Sequence, residues 1–243
     1  MMGTTDGQFG TQRIGLALSG GGVRGMAHIG VIKALDELGV RPAVVAGTSS
    51  GSLVGAGLAA GMSWCELAKM ARSVFWPRLL NGRMLEEFCR EHLPATFAEL
   101  RLPFAAVATE FPGKRVVAIA NGPLASAISA SCAIRIVRRE VVREGRRLKD
   151  GGYVCVLPAS VCREMGAEMV VASDVWELSG LLRGVGCQPA HPFFPAHYRM
   201  AVRQTDLLIQ PAIPLACHAP TPAAIDRLIA AGERATHRVL SRR

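Results

Sequence analysis

Ser49 sits in the pentapeptide Gly47-Thr48-Ser49-Ser50-Gly51, with an apolar run at 42–46 before it and a small-residue segment at 52–60 after it. That pattern predicts strand, sharp turn, helix, and a G-x-S-x-G turn in this setting is a nucleophile elbow. Gly47 and Gly51 let the backbone bend tightly, which pushes the serine hydroxyl out of the turn. The helix that begins there would aim free N–H groups and the positive end of its dipole at a reacting centre. Outside such a context the same five residues mark an ordinary Gly/Ser loop, so the flanking segments carry the reading.

A second glycine-rich turn lies about 25 residues upstream. Residues 13–18 read as a buried strand, which runs into Ser19-Gly20-Gly21-Gly22-Val23-Arg24-Gly25, and a helical pattern continues from Met26 to Leu35. Bare backbone N–H groups at such a strand-to-helix turn form an anion site. In acyl transfer the anion is the tetrahedral oxyanion, and loss of one donor slows the reaction roughly 100- to 1000-fold. Gly20, Gly22 and Gly25 also spell the dinucleotide fingerprint G-x-G-x-x-G. That alternative needs an acidic residue at the end of the second strand to hold a ribose. Here the second strand ends in Ala46-Gly47-Thr48, while Asp36 and Glu37 fall late in the intervening helix.

A serine nucleophile needs a base, most often histidine. Of the six histidines, His28 reads as a structural partner within the first helix. His191, His197 or His218 could complete a Ser…Asp…His order with Ser49 and Asp150, but nothing local supports any of the three. Asp150 itself, in Lys149-Asp150-Gly151-Gly152, is the better candidate. Two glycines after the aspartate let another backbone approach closely. An ordinary Asp-Gly hairpin turn is the alternative.

Taken together, G-G-G-x-R-G, G-x-S-x-G and D-G-G in this order resemble the patatin-like phospholipase family. The likeness is to its compact bacterial members and to the catalytic domain of neuropathy target esterase. It extends from Arg13 to about Asp174 and includes residues 24–31, 47–55, 104–110 and 129–134, while 205–211 resembles the family's last strand. The resemblance implies a Ser–Asp dyad without histidine. Ser49 would carry the acyl group, and Asp150, followed by Gly151 and Gly152, would take the serine proton and then activate water. Gly20, Gly21 and Gly22, braced by Arg24 and Gly25, would hold the oxyanion. A carboxylate with a reference pKa of about 4 is a weak base toward a hydroxyl, so burial and the oxyanion site must supply the remaining stabilisation.

The implied activity is hydrolysis of carboxylic esters of lipids, phospholipid or lysophospholipid acyl esters, with a lipid ester as partner and no cofactor. A broad carboxylesterase or thioesterase is the alternative within enzymes. A lipid-binding or regulatory protein that keeps the fold is the alternative outside them. No residues have the ligand spacing of a zinc site, and no acid-rich calcium loop is present. One segment departs from the family. Arg135 stands at a usual proline, and residues 135–142 replace an aromatic and proline-rich stretch, which bears on substrate entry and on the placing of Asp150. The region between Asp174 and Met200, with Pro189, Pro192 and Pro195 around Phe193 and Phe194, is expected to be a trimmed or mobile loop.

The chain has 243 residues, half of them hydrophobic and only 5% aromatic. That length suits one domain with a sizeable core, here 13–243, after a flexible tail at 1–12. Strands alternating with helical patterns predict an α/β fold, a mostly parallel central sheet sandwiched by helices in three layers. Strands are expected at 13–19, 42–47, 103–109, 115–120, 168–173 and 206–210. Helices are expected at 23–38, 50–61, 63–74, 83–92, 123–131, 158–166 and 221–240.

Residues 42–65 carry no charge and contain G-x-x-x-G pairs, so length alone permits a membrane span. Thr48, Ser49, Ser50 and Ser52 at the centre of that run fit the elbow better. The first twelve residues lack the apolar region of a signal peptide, which makes the cytoplasm the expected location, peripheral to a membrane at most. Seven cysteines without a C-x-x-C pair read as buried thiols. Net charge is +9, and the densest block, 135–149, holds seven basic residues against Glu140 and Glu144. A solvated face is the first reading of that block. Transient contact with an anionic membrane surface, at about 1 kcal/mol per basic residue, is the second. No nucleic-acid motif accompanies the charge, so nucleic acid is not expected. Oligomeric state is not encoded in any pattern found.

Overall fold

One eight-stranded sheet organises the computed structural model, which describes residues 11–74, 76–134, 140–184, 186–189, 191–213, 217 and 220–241. The strands are β1 (Ile14–Leu18), β2 (Val44–Thr48), β3 (Phe104–Phe111), β4 (Arg115–Ile119), β5 (Val141–Arg143), β6 (Arg146–Asp150), β7 (Met169–Ser173) and β8 (Leu207–Ile209). The helices are α1 (Ala27–Glu37), α2 (Ser50–Ala59), α3 (Trp64–Ser73), α4 (Trp76–Leu79), α5 (Gly82–His92), α6 (Leu124–Ser131), α7 (Ala159–Glu164), α8 (Glu177–Gly184), α9 (Ala196–Arg203) and α10 (Pro222–Leu240). Strand pairing runs β5-β6-β3-β2-β1-β7-β8, with β2 and β6 on successive stretches of one edge of β3 and β4 on the other. The pairs from β3 through β8 are parallel, and β4 and β6 run antiparallel to β3.

β1, β2 and β7 are buried along their whole length, because helices cover both faces of the sheet. Leu16, Leu18, Val45 and Ala106 face the larger core, shared with Leu53, Leu67, Leu85, Ile128 and Leu228 from α2, α3, α5, α6 and α10. Ala17, Val44, Ala46 and Val107 face the smaller core, shared with Val161 of α7 and Tyr198 of α9. Two buried faces explain why these strands read as continuous apolar runs rather than alternating ones.

Helix starts follow local chemistry. Ser63 and Glu66 form a capping box at α3, Asn81 caps α5, and Thr221 with Pro222 opens α10. α1 and α10 then pack backbone to backbone. A Cβ on Gly30 would lie 1.8 Å from Ile229 O, and one on Gly232 would lie 1.9 Å from Ala27 O.

All six expected strands and all seven expected helices are present, with ends shifted by a few residues. The uncharged stretch 42–65 divides into β2, a turn, α2 and the start of α3. Among the described residues no helix is long and apolar enough to cross a membrane. Five elements escaped the sequence pattern: β5, β6, α4, α8 and α9. The expected loop between Asp174 and Met200 is corrected, because it carries α8 and the start of α9 and buries Phe194 and Tyr198. Of the tail at 1–12, residues 1–10 lie outside the described residues. So do 135–139 of the departing segment, including Arg135, Arg138 and Arg139 of the basic block. The described part of that block is the β5–β6 hairpin, where Glu140 is 2.5 Å from Arg147 Nη2 and 3.9 Å from Lys149 Nζ. Arg143 is tucked inward and donates to Pro123 O at 3.1 Å.

Gly232→Ala should therefore destabilise the chain by about 3 kcal/mol or more, since neither backbone can yield to a new methyl group. Gly184→Ala, where a Cβ meets nothing within 4 Å, should change stability by less than about 1 kcal/mol. Urea unfolding midpoints check both.

Candidate active site

β2 ends at Thr48, and the chain reverses into α2 through Ser49, whose φ of 53° and ψ of −123° are rare for a residue with a side chain. Such a conformation costs about 1–3 kcal/mol and persists only where its surroundings enforce it. Here Ser49 N donates to Ser131 Oγ at 2.9 Å, and Ser131 Oγ donates to Val107 O at 2.6 Å. Ser52 Oγ donates to Ser49 O at 2.6 Å, and Thr48 Oγ1 donates to Cys155 O at 2.8 Å. The elbow glycines serve close approach. A Cβ on Gly47 would lie 2.3 Å from Gly51 O, and one on Gly51 would lie 2.4 Å from Leu18 O.

Sheet register sets the position of Asp150 relative to Ser49. β4 holds one edge of β3, so β2 and β6 must share the other. β2 occupies that edge up to Thr48 opposite Val107 and then leaves it at the elbow. The next residue of β3, Ala108, is opposite Asp150, the last residue of β6. The end of one strand therefore abuts the end of the other. Gly151 seals the junction, since a Cβ there would lie 2.3 Å from Val107 O and 2.9 Å from Thr48 Cγ2. Asp150 is buried, its Oδ1 accepts from Gly152 N at 2.7 Å, and Thr109 Oγ1 donates to its carbonyl at 2.8 Å.

The glycine turn follows β1. Ser19 N donates to Ser173 O and Gly20 N to Val156 O, both at 3.0 Å. The expected anion role thus narrows, because Gly20 has already committed its N–H. Gly21 and Gly22 donate to no protein acceptor among the described residues. Gly22 has φ +58°, which favours glycine, and Gly21 lies against Val175 O, 2.8 Å from where a Cβ would stand. Arg24 is buried and reaches α8, with Nη2 3.5 Å from Trp176 O. Burial lowers its pKa, against the pull of Glu177 and Asp174. Gly25 packs on the elbow, where a Cβ would lie 2.5 Å from Ser50 Oγ. Arg24 thus packs toward Trp176 and Gly25 against Ser50. Asp174 fixes the loop after β7, accepting from Trp176 N at 3.0 Å, Tyr198 Oη at 2.6 Å and Gln210 Nε2 at 2.9 Å.

Two cavities meet at Ser49. One, of about 330 Å³, is apolar, walled by Leu53, Leu79, Leu85, Trp76 and Cys132. Trp76 is held there by a bond from Nε1 to Ala71 O at 3.0 Å. The other, of about 270 Å³, is lined by the three glycines, Asp150, Gly152, Tyr153 and Trp176. Gly22 and Ile134 border both, and Leu80, Ile134 and Tyr153 are partly exposed along the two cavities. This places Ser49, Asp150, Gly20, Gly21 and Gly22 around one cleft at the carboxyl ends of parallel strands, where open α/β sheets bind ligands. Sequence reasoning missed the wall from α4 and α5, Trp176, and the tie through Ser131. α6 carries three serines, Ser126, Ser129 and Ser131, and its sequence does not single out Ser131 as the one that makes the tie.

No histidine among the described residues lines either cavity. His191 packs against Phe193 with ring centroids 4.5 Å apart and planes tilted by 60°, burial lowers the pKa of His197, and His218 lies outside the described residues. His28 is fully buried beneath the glycine turn, with Nε2 2.9 Å from Ser19 O and Nδ1 2.7 Å from Ser173 Oγ. Burial pushes its pKa down to about 4, opposed by the Ser19 carbonyl and Asp174. All seven cysteines are free thiols, and burial raises Cys155 and Cys162 to about 12. Cys65 is exposed, so the expectation of buried thiols fails there. Among the described residues one trio could offer metal ligands, Glu37, Glu233 and His237, none of which lines either cavity. Lys33 Nζ already sits 2.5 Å from Glu233 Oε1 and 3.7 Å from Glu37 Oε1.

Fold and cleft together define an α/β protein with a strained serine turn opening on a cleft at the carboxyl ends of its parallel strands. The profile of the patatin-like phospholipase family matches residues 16–163, and the chain belongs to that family. It is 35% identical over 173 residues to an uncharacterized NTE family protein of Mycobacterium tuberculosis, across 66% of this chain and 48% of that protein. It is also 35% identical over 185 residues to lysophospholipase NTE1 of Mycosarcoma maydis, across 67% of this chain and 10% of that protein. The match thus spans about half the length of the mycobacterial relative and a tenth of the fungal one. The crystal structure of VipD from Legionella pneumophila superposes with a TM-score of 0.60 at 15% identity, over 95% of this chain and 67% of that one, a likeness of fold.

The buried imidazole makes stability depend on pH. The unfolded chain gains a proton on His28 below about 6.5, while the native chain stays neutral down to about 4. The stabilisation from this group is complete above pH 6.5 and should fall by up to about 3 kcal/mol as pH drops to 4. Urea unfolding at pH 7 and pH 4.5 should show a smaller difference in His28→Gln than in wild type.

Proposed function

We propose that the chain hydrolyses acyl esters of lipids, phospholipids or lysophospholipids, through an acyl-Ser49 intermediate and a Ser49–Asp150 dyad. The observation that carries this reading is the meeting of an apolar and a more polar cavity at Ser49. An acyl chain fits the first, and the alcohol or headgroup side of the ester fits the second. Ser49 Oγ attacks the ester carbonyl and Asp150 takes its proton. The oxyanion lies against the N–H groups of Gly21 and Gly22. Collapse of the tetrahedral adduct breaks the ester C–O bond, and Asp150 returns the proton to the departing alcohol. Water, deprotonated by Asp150, then attacks the acyl-serine carbonyl. The second collapse regenerates Ser49 and releases the carboxylic acid.

Lysophospholipids are the favoured class, because the single apolar lobe of about 330 Å³ accommodates one chain. At ~30 Å³ for a water-sized group, that space takes roughly ten methylenes. The fungal relative, named a lysophospholipase, supports the same class. Leu80, Ile134 and Tyr153 beside the cleft, with a net charge of +9, suit brief contact with an anionic lipid surface.

In a series of p-nitrophenyl esters, turnover should peak at about ten acyl carbons. Ser49→Ala and Asp150→Asn should each lower kcat by at least about 1000-fold while remaining folded. Enlarging the wall with Leu79→Phe should move the optimum to shorter chains without loss on the shortest ester. An optimum at two to four carbons would assign a broad carboxylesterase instead. A folded wild type that neither turns over nor labels with a fluorophosphonate would assign a lipid-binding protein, since labelling needs an activated serine.

A further inference from the structure

Glycines leave peptide groups free to rotate, so the direction of the Gly21 N–H must be imposed by neighbours. Ser19 engages four times. Its N–H donates to Ser173 O at 3.0 Å, and its carbonyl lies 2.9 Å from His28 Nε2. Its Oγ accepts from Val175 N at 2.8 Å and donates to Gly20 O at 3.2 Å. The Ser19–Gly20 peptide is therefore held at both ends, by His28 at its oxygen and by Val156 O at its nitrogen. In the next peptide the Gly20 oxygen is held by Ser19 Oγ. A trans peptide points its N–H opposite to its C=O, so this bond sets where the Gly21 N–H is aimed.

The imidazole has one tautomer that fits. A carbonyl only accepts, so His28 Nε2 carries the proton and Nδ1 accepts from the Ser173 hydroxyl at 2.7 Å. We propose that His28 and Ser19 are positioning residues for the oxyanion donors, a hydrogen-bonded latch between β1 and β7 that fixes the Gly21 N–H before substrate arrives. This role rests on the hydrolase reading above, yet its geometry can be read without turnover. His28 stays neutral near pH 7, consistent with a buried donor to a carbonyl. Charged groups that act on it reduce to Asp174, which is itself occupied by Trp176, Tyr198 and Gln210.

The test uses the ¹⁵N-labelled chain of residues 1–243 as wild type, Ser19→Ala, His28→Leu and His28→Gln, the last keeping a donor in place of Nε2. Nitrogen shifts should show His28 of wild type as the neutral Nε2–H form at pH 7. The Gly21 amide resonance should move in Ser19→Ala and His28→Leu and stay near wild type in His28→Gln. With the same ester, kcat should fall 10- to 100-fold in the first two, with KM within twofold, and recover in His28→Gln. An Nδ1–H or charged imidazole in wild type overturns the latch whatever the activity. So does an unmoved Gly21 amide with unchanged kcat in folded Ser19→Ala. A Gly21 amide that moves as expected in Ser19→Ala and His28→Leu, while the folded wild type shows no turnover, leaves the latch standing and removes the hydrolase reading.

Discussion

One strand edge determines the cleft. β3 offers its edge first to β2 and then to β6, and the handover falls between Val107 and Ala108. Ser49 leaves the sheet at that point and Asp150 arrives at it. Backbone pairing, with a spacing of about 3.3 Å per residue, therefore sets the separation of the two side chains more firmly than any contact between them. Thr48, Val107 and Gly151 form the packed floor of the junction, and Ser131 ties the strained Ser49 backbone to the carbonyl of Val107. A slip of one residue would turn the Asp150 side chain to the other face of the sheet.

The second half of the cleft depends on where the sheet changes direction. β1 leads outward through β2 to β3, while β7 and β8 build on its other side. Loops leaving β1 and β7 diverge there and leave room for the glycine turn. Val175, Trp176 and Arg24 fill the divide, and Asp174 fixes the loop through Tyr198 and Gln210. The Asp174 carboxylate is tolerated so deep in the fold because Trp176 N, Tyr198 Oη and Gln210 Nε2 all donate to it; the cost of leaving such a group unmet is about 1–3 kcal/mol.

How much of this was legible in the sequence follows from burial. β1, β2 and β7 are covered on both faces and announced themselves as apolar runs. Arg146-Arg147-Leu148-Lys149-Asp150 is a strand in which only Leu148 and Asp150 are buried, so its charge concealed it. α8 and α9 were hidden by Gly180, Gly184 and the flanking prolines, although Phe194 and Tyr198 anchor that region to the smaller core. Motif spacing identified Ser49, Asp150 and the glycine turn as the residues that meet. It carried no information on which N–H of the turn is already spent, because Val156, whose carbonyl takes the Gly20 N–H, lies more than a hundred residues away. The apolar cavity was illegible for a related reason. Its wall is assembled from α2, α4, α5 and the turn after α6, and no local pattern records that these surfaces face one another.

The contact of Gly30 with Ile229 and of Gly232 with Ala27 has a consequence for how the chain acquires its structure. α1 grows directly from the glycine turn, yet its closest support comes from a helix some two hundred residues later in the sequence. Contacts of such large separation must close a long loop before they return any stabilisation, which makes them late events in folding. The glycine turn is thus seated only once α10 has docked, and a nascent chain that has already made β1, β2 and β6 holds an elbow and a carboxylate without a finished cleft.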